Sequence, residues 1–245
     1  EKIILSDSYI WNFLKPWLKK NEAKIERKTI YTFNSAISRK WRKGRIFIAG
    51  DAAHLMPPFM GQGMCAGIRD ASNLAWKIVS CLKQKYDEKI LSSYQAERFS
   101  NVKEYIETTM RMGEFVNAVG SSKITDNISS NKDGTKMMQS IKPKLGFGLG
   151  KRNDKNRGVI FPQLKMRNGK AFDDKFSKNP ILIIKSELKN KIKLSKFQTI
   201  IDNEVIGLSK LLKNYKSKAI IVRPDRFIFK SCNSLKNFNK FIKSL

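Results

Sequence analysis

The sequence predicts an α/β fold in two parts. Three observations lead there. A short continuous apolar run, IFIA (Ile46–Ala49), is followed by a Gly/Pro-rich loop and then by a long stretch of helical periodicity. Near the C-terminus, PILIIKSEL, KFQTIIDN, EVIGLSKLLKNY and KAIIVRPDRFIF read in order as β, β, α, β, a small α/β unit over residues 176–245. Between the two parts, residues 118–175 are polar and glycine-rich and read as linker or long loop, leaving residues 1–117 as the first domain. With 245 residues, 41% of them hydrophobic, the chain can bury a substantial core.

In SYIWNFLKPWLKK (Ser8–Lys20), Ile10, Phe13, Leu14 and Trp17 fall at helical spacing, and Pro16 predicts a break. KTIYTFNSAIS (Lys28–Ser38) is β-branched and aromatic and reads as a strand. WRKG turns the chain into RIFIAG, whose continuous apolar character suits a strand covered on both faces. From Gly63 to about Leu82 a helix is expected, with Ile68, Ala71, Leu74, Ala75 and Ile78 on one face. SSYQAERFSNVKEYIETTMRMGEF gives a second helix, capped by Ser92 or Ser93, with Phe99, Val102, Ile106 and Met110 as its buried stripe. GFGLG (Gly146–Gly150) has neither a preceding strand nor a following helix, so it reads as loop and not as a dinucleotide turn.

The net charge of +28 comes from 49 basic and 21 acidic residues, and most of the excess lies after residue 117. Lysines dominate and are scattered, without an aromatic-interleaved stripe or a nucleic-acid motif, so specific nucleic-acid binding is not expected. No apolar run approaches the roughly 20 residues of a membrane span, and no signal peptide opens the chain. One histidine and no CxxC argue against a metal site. Three cysteines, Cys65, Cys81 and Cys232, suit unpaired thiols in a reducing cytoplasm.

The chemistry concentrates in GDAAHLMPPFMGQGM (Gly50–Met64). Gly50 lets the chain turn where the apolar run ends. Asp51 sits at the carboxyl end of that run, where α/β folds bind ligands, and its carboxylate suits the hydroxyls of a polyol. Pro57 and Pro58 stiffen the loop, which lowers the entropy lost on docking. Gly61 and Gly63 allow close backbone approach to a planar group. The amides of Gly63, Met64 and Cys65 open the helix and, with its dipole, can hold an electron-rich edge.

The string GRIFIAGDAAHLMPPFMGQGMCAGIRDASNLAWKI resembles the second flavin-binding motif of the FAD-dependent aromatic hydroxylases, the single-component flavoprotein monooxygenases typified by p-hydroxybenzoate hydroxylase. The form PPFMGQGMCAGIRDA is most similar to the 3-(3-hydroxyphenyl)propionate hydroxylase branch. YTFNSAISRKWRKGR, SYQAERFSNVKEYI, RGVIFPQLKMRNGKAFDD and IIVRPDRFIF extend the resemblance along the chain. It implies the C-terminal part of an FAD/NAD(P)-binding Rossmann-like monooxygenase fold followed by a thioredoxin-like domain. It also implies that Asp51 binds the flavin ribitol, that the loop carrying Pro58 lines the reacting face of the isoalloxazine, and that Gly63, Met64 and Cys65 present amides to its pyrimidine edge, with Gly50, Ala52, Pro57 and Gly61 completing the cofactor-binding set. His54 then reads as a loop-fixing residue, and Cys65 need not be a redox thiol. Asn34 stands where relatives carry a histidine. No catalytic residue can be named.

The implied reaction takes electrons from NAD(P)H through FAD and uses dioxygen to hydroxylate a small phenolic or aromatic substrate. The GxGxxG unit for the ADP half of FAD and the family's middle Asp-Gly motif are missing from the sequence. With Glu1 in place of Met, this suggests a piece of something longer. Alternatives stay open: a C-terminal portion that is inactive alone, a split subunit needing a separate N-terminal half, or a non-catalytic remnant. A homodimer is also open.

Overall fold

The computed structural model describes residues 2–84, 86–120, 141–150, 153–175, 179–191, 197–234 and 236–237. Residues 121–140 of the expected linker lie outside this set. The chain divides into two units, residues 1–34 and 35–245.

In the first unit, helix α1 spans Asp7–Leu14, and the Ser6 side chain accepts a hydrogen bond from the Tyr9 amide at its N-terminus. The helix stops at Lys15, the residue before Pro16, whose ring disfavours helical geometry there. Phe13 and Trp17 approach each other at 6.1 Å. An ion pair between Lys28 and Asp7 ties the following segment back to α1.

The second unit opens with four two-residue strands: β1 (Ala36–Ile37), β2 (Arg42–Lys43), β3 (Ile46–Phe47) and β4 (His54–Leu55). β1 pairs with β4 and β2 with β3, both antiparallel. The strand expected over Lys28–Ser38 is therefore reduced to Ala36–Ile37. High β propensity forms no ladder where no second strand supplies partners, and the segment before Ala36 pairs with none among the described residues. RIFIAG is likewise not covered on both faces, for Ile46 is 70% exposed on a hairpin arm.

Helix α2 runs Gly63–Gln84 and α3 runs Lys89–Gly120. The start of α3 at Lys89 is three or four residues earlier than the expected cap, Ser92 or Ser93. The Asp87 carboxylate accepts from the Lys89 amide at 2.8 Å, while Ser93 is used inside the helix, donating to the Ile90 carbonyl. Tyr94, Val102 and Ile106 pack with Trp41 and Ala53 into one cluster, with Phe99 at its edge, but Met110 is exposed. α2 departs further from expectation. Ile68, Ala71 and Ala75 face solvent, and the buried stripe is Ala66, Asp70, Asn73, Lys77 and Ser80. The spacing is helical, but the buried face is polar.

The C-terminal sheet contains β5 (Ile181–Ile184), β6 (Gln198–Ile201), β7 (Ala219–Val222) and β8 (Ile228–Cys232), in the order β6-β5-β7-β8. β6 runs parallel to β5, and β7 and β8 follow antiparallel. KAIIVRPDRFIF is thus two strands and a turn, not one strand. Arg223 donates its amide to the Phe227 carbonyl across the turn, and Arg226 takes a left-handed φ of 67°. Alternate residues feed separate clusters. Ile181, Ile183, Ile220 and Val222 pack with Leu208 and Leu212 of α4 (Leu208–Asn214), and Leu182, Ile184, Ile221 and Cys232 form the other. Each such side chain contributes roughly 1.5–3 kcal/mol on burial, which explains why β5 and β7 read as unbroken apolar runs.

Candidate functional site: the loop between β3 and α2

The loop is built from backbone constraints outward. Gly50 has φ +59°, and a Cβ on Gly67 would lie 3.4 Å from the Gly50 Cα, so loop and helix touch backbone to backbone. Gly50–Ala52 makes one 3-10 turn, closed by the Ala53 amide on the Gly50 carbonyl at 2.8 Å. Pro57 is buried and leads into a second turn, Pro58–Met60, which ends at Gly61 with φ +60°. A Cβ at Gly61 would meet nothing, so this backbone faces open space.

α2 follows at once. Its first non-strand backbone bond runs from the Ala66 amide to the Gln62 carbonyl. The amides of Gly63, Met64 and Cys65 precede it and have no acceptor among the described residues, as expected of a helix start. Asp51 is exposed and makes no hydrogen bond or ion pair among the described residues. The structure thus brings an unengaged carboxylate, open glycine backbone and three free amides into one continuous segment.

What holds that segment lies beneath it. His54 Nε2 is 2.6 Å from Asp70 Oδ2, with both side chains buried. A carboxylate only accepts, so Nε2 carries the proton. The same Oδ2 accepts the Gly50 amide at 3.0 Å, and Oδ1 pairs with Arg98 Nε at 2.7 Å. Arg98 continues to Asn101, whose amide donates to the Pro143 carbonyl. Burial alone would raise the Asp70 carboxyl. The His54 hydrogen bond, the Arg98 charge and the Gly50 amide outweigh it, and the group lies below the ordinary carboxylate range. His54 Nδ1 has no partner among the described residues, and the ring lies 5.5 Å from Trp41. The expected loop-fixing geometry of His54 is present. Asp70 and Arg98, which complete it, were not singled out in the sequence.

A second buried network was also not anticipated. Lys77 donates to Asn73 and to Glu97, each at 2.8 Å. Arg223 forks onto both Glu97 oxygens at 2.8 and 2.9 Å and also pairs with Asp225. Asn73 donates to Asp225 at 2.9 Å, and the Leu149 amide donates to Glu97. The RPD turn between β7 and β8 is therefore joined through charge-assisted bonds to the helix that begins at the loop. Burial would raise the Glu97 carboxyl, but Arg223 and Lys77 hold it down at about 2. Lys77 is pushed down to about 8 by burial and by Arg223, which shares its carboxylate.

A family model described as FAD binding domain matches residues 17–109. A probable NADH-specific resorcinol 4-hydroxylase of Rhodococcus jostii (strain RHA1) is 37% identical over 167 residues, 66% of this chain and 30% of that protein. A 3-(3-hydroxy-phenyl)propionate/3-hydroxycinnamic acid hydroxylase of Mycolicibacterium vanbaalenii is 41% identical over 92 residues, 38% of this chain and 16% of that one. The chain is a relative of the FAD-dependent aromatic hydroxylases. Solved structures agree on the fold. RebC-10x with bound 7-carboxy-K252c superposes with a TM-score of 0.65 at 15% identity, covering 94% of this chain and 50% of that one. Aklavinone-11 hydroxylase, solved with FAD and aklavinone, gives 0.55 at 18%, covering 82% and 42%. This hydroxylase relative thus spans a third or less of those two curated proteins and half or less of the two solved chains. No helix among its described residues is long and apolar enough to cross a membrane.

Proposed function

We propose that this chain is the C-terminal portion of an FAD- and NAD(P)H-dependent monooxygenase that hydroxylates a small phenolic or aromatic substrate with dioxygen, and that it is inactive alone. The observation carrying this reading is the unengaged Asp51 carboxylate beside the free amides of Gly63, Met64 and Cys65, on a loop fixed from beneath by His54 and Asp70. Those groups fit the ribityl and isoalloxazine part of FAD. Asp51 accepts from hydroxyls, the amides and helix dipole favour negative charge on the ring edge, and Gly50, Ala52, Pro57, Pro58 and Gly61 bound the space with stiff or side-chain-free backbone. When bound, FAD supplies hydride acceptance and oxygen activation. This chain's residues bind and orient it.

The NADH-specific wording of the R. jostii relative supports a nicotinamide donor, and the hydroxylase names support an aromatic substrate. The sheet order β6-β5-β7-β8, with one parallel and two antiparallel pairings, supports a thioredoxin-like reading of residues 176–245, after a first domain to residue 117 and loops to 175. Unpaired cysteines support a cytoplasmic setting. The missing phosphate-binding turn and the short span of the relatives support dependence on an N-terminal half.

A second reading is a split subunit that needs such a half as a separate chain. The exposed Met64, Ile68 and Leu82 of α2 favour it over a remnant, because they leave an apolar helix face open. Titration of the purified chain with FAD, followed by flavin fluorescence, tests both readings when run with and without an added N-terminal half and with Asp51→Ala. Binding only on complementation, lost with Asp51→Ala, is the expected result. Tight binding by the chain alone overturns the dependence. No binding in either case overturns the flavin reading.

A further inference from the structure

Helix α2 buries its polar side and exposes its apolar one. The buried stripe is Ala66, Asp70, Asn73, Lys77 and Ser80. On the opposite side, Met64, Ile68, Ala71, Ala75, Ile78 and Leu82 follow one another in alternating steps of four and three residues, the repeat of a coiled-coil seam. Met64, Ile68 and Leu82 are 77%, 60% and 78% exposed, Ala71 and Ala75 are exposed, and Ile78 is half-buried. A surface helix normally turns such a stripe toward its own core. Here the buried ion pairs of Asp70 with Arg98 and of Lys77 with Glu97 fix the other side inward, so the apolar stripe stays outside.

Two features say what the stripe fits. The first is its symmetry. Met64 and Leu82, Ile68 and Ile78, and Ala71 and Ala75 stand in pairs at equal separations on either side of Asn73. A second copy turned about a two-fold axis at Asn73 therefore sets large residue against large and alanine against alanine. Each contact then occurs twice, as an isologous interface requires. The central alanines let the two backbones come close. The second feature is the absence of charge. The chain carries +28, yet neither the stripe nor its flanking positions, Cys65, Gly67, Ser72, Leu74, Val79 and Cys81, hold a charged residue. Like charges thus do not meet at the seam itself. We propose that α2 pairs, antiparallel, with α2 of a second copy of this chain through this seam. The stripe is about 27 Å long at a rise of about 1.5 Å per residue. One such helix pair lies at the low end of specific interfaces, roughly 1,000 Å² in total, so the dimer dissociates on dilution. The pairing requires no flavin, and it differs from the split-subunit reading, in which an N-terminal half covers this face.

The test is sedimentation velocity of the whole chain without cofactor, over about a hundredfold range of concentration around the micromolar level. The expected result is a monomer–dimer equilibrium that tightens as salt is added, because salt screens the repulsion between two basic chains while the apolar seam is unaffected by screening. Ile68→Glu and Ile78→Lys each weaken the dimer about tenfold or more. Mixed in equal amounts the two variants recover it, because the antiparallel register sets position 68 of one copy against position 78 of the other. Circular-dichroism melts verify that each variant is folded. Met64→Glu mixed with Leu82→Lys makes the same comparison at two largely exposed positions, should Ile78→Lys not fold. A chain that stays monomeric throughout overturns the proposal and leaves this face to an N-terminal half. A dimer that none of these variants weakens overturns it too, as does association that continues beyond two copies. Failure of the folded mixtures to recover the dimer overturns the antiparallel pairing.

Discussion

His54 and Asp70 meet at 2.6 Å in the buried space under the loop, and the same Asp70 oxygen holds the Gly50 amide. One carboxylate therefore sets the conformation of the segment that carries Asp51. It also neutralises Arg98, which has no exposed surface of its own.

Asp70→Asn keeps the side-chain volume but strands the buried Arg98 charge. Breaking a buried pair in this way costs about 3–5 kcal/mol. The expected outcome is a loss of that order in urea denaturation, with Asp51-dependent flavin binding lost as well in the complemented protein. A loss below about 1 kcal/mol, within the range of exposed pairs, shows that the network does not hold the loop.

Glu97 and Lys77 give pH dependences of the same sign in two separate windows. Glu97 titrates at about 2 in the folded chain because Arg223 and Lys77 outweigh its burial. The unfolded state then binds more protons as acid is added. The stability from Glu97 is complete above its unfolded value near 4.5 and is lost as pH falls through about 2. Lys77, held down at about 8 by burial and Arg223, is also less protonated when folded, here between about 8 and its ordinary value of 10.5. Its contribution to stability therefore rises with pH across that window. Urea midpoints across both windows measure this. In Glu97→Gln the acid-dependent part disappears, and the neutral-pH stability drops by about 3–5 kcal/mol. An unchanged acid limb assigns the acid sensitivity to other carboxylates.

These networks mark where the sequence was legible and where it was not. The extent of α2 and the presence of α4 follow from helical spacing, and the β5 and β6 runs from continuous apolar residues, because those signals are local; α4 itself starts only at Leu208, four residues inside EVIGLSKLLKNY, because Glu204 closes a 3-10 turn and Val205 bridges to Met166. The loop's glycines and prolines are legible for the same reason. The buried face of α2 was not, because Asp70, Asn73 and Lys77 carry the right spacing in polar residues. Their partners, Arg98, Glu97 and Asp225, come from other elements, the last of them 152 positions from Asn73. A polar stripe at helical spacing beside an equally long apolar one signals such a face. The Lys28–Ser38 strand failed for the converse reason, since propensity does not supply a pairing partner.

The GFGLG segment gives a prediction with an internal control. A Cβ on Gly146 would sit 2.3 Å from the Ala96 carbonyl oxygen, fixed in the α3 backbone, where the Gly146 amide also donates to the Glu97 carbonyl. A Cβ on Gly113 would come as close, at 2.4 Å, but to the ring of the partly exposed Phe59, which can rotate away. Gly146→Ala is expected to cost about 1–3 kcal/mol from overpacking and to speed amide exchange at Glu97-bound Leu149. Gly113→Ala, relieved by side-chain motion and gaining helix propensity of up to about 1 kcal/mol, costs less. Equal costs in thermal melts contradict a backbone contact at Gly146.

Cys232 ends β8, is buried, and packs with Leu182, Ile184 and Ile221. Burial raises its thiol, Asp154 adds to this, and Lys230 opposes it. The group stays a protonated thiol at neutral pH, so the reactive thiolate is scarce. Its surroundings are a packed sheet face, and no second cysteine is beside it. Cys232→Ser exchanges a small apolar group for a hydroxyl that this cluster does not bond. The expected outcome is a stability loss of about 1–3 kcal/mol, with flavin binding and any turnover by the complemented protein unchanged. Loss of turnover at full flavin occupancy and intact fold would assign Cys232 a chemical role. Cys232→Ala separates the two, because it restores apolar character without restoring a thiol.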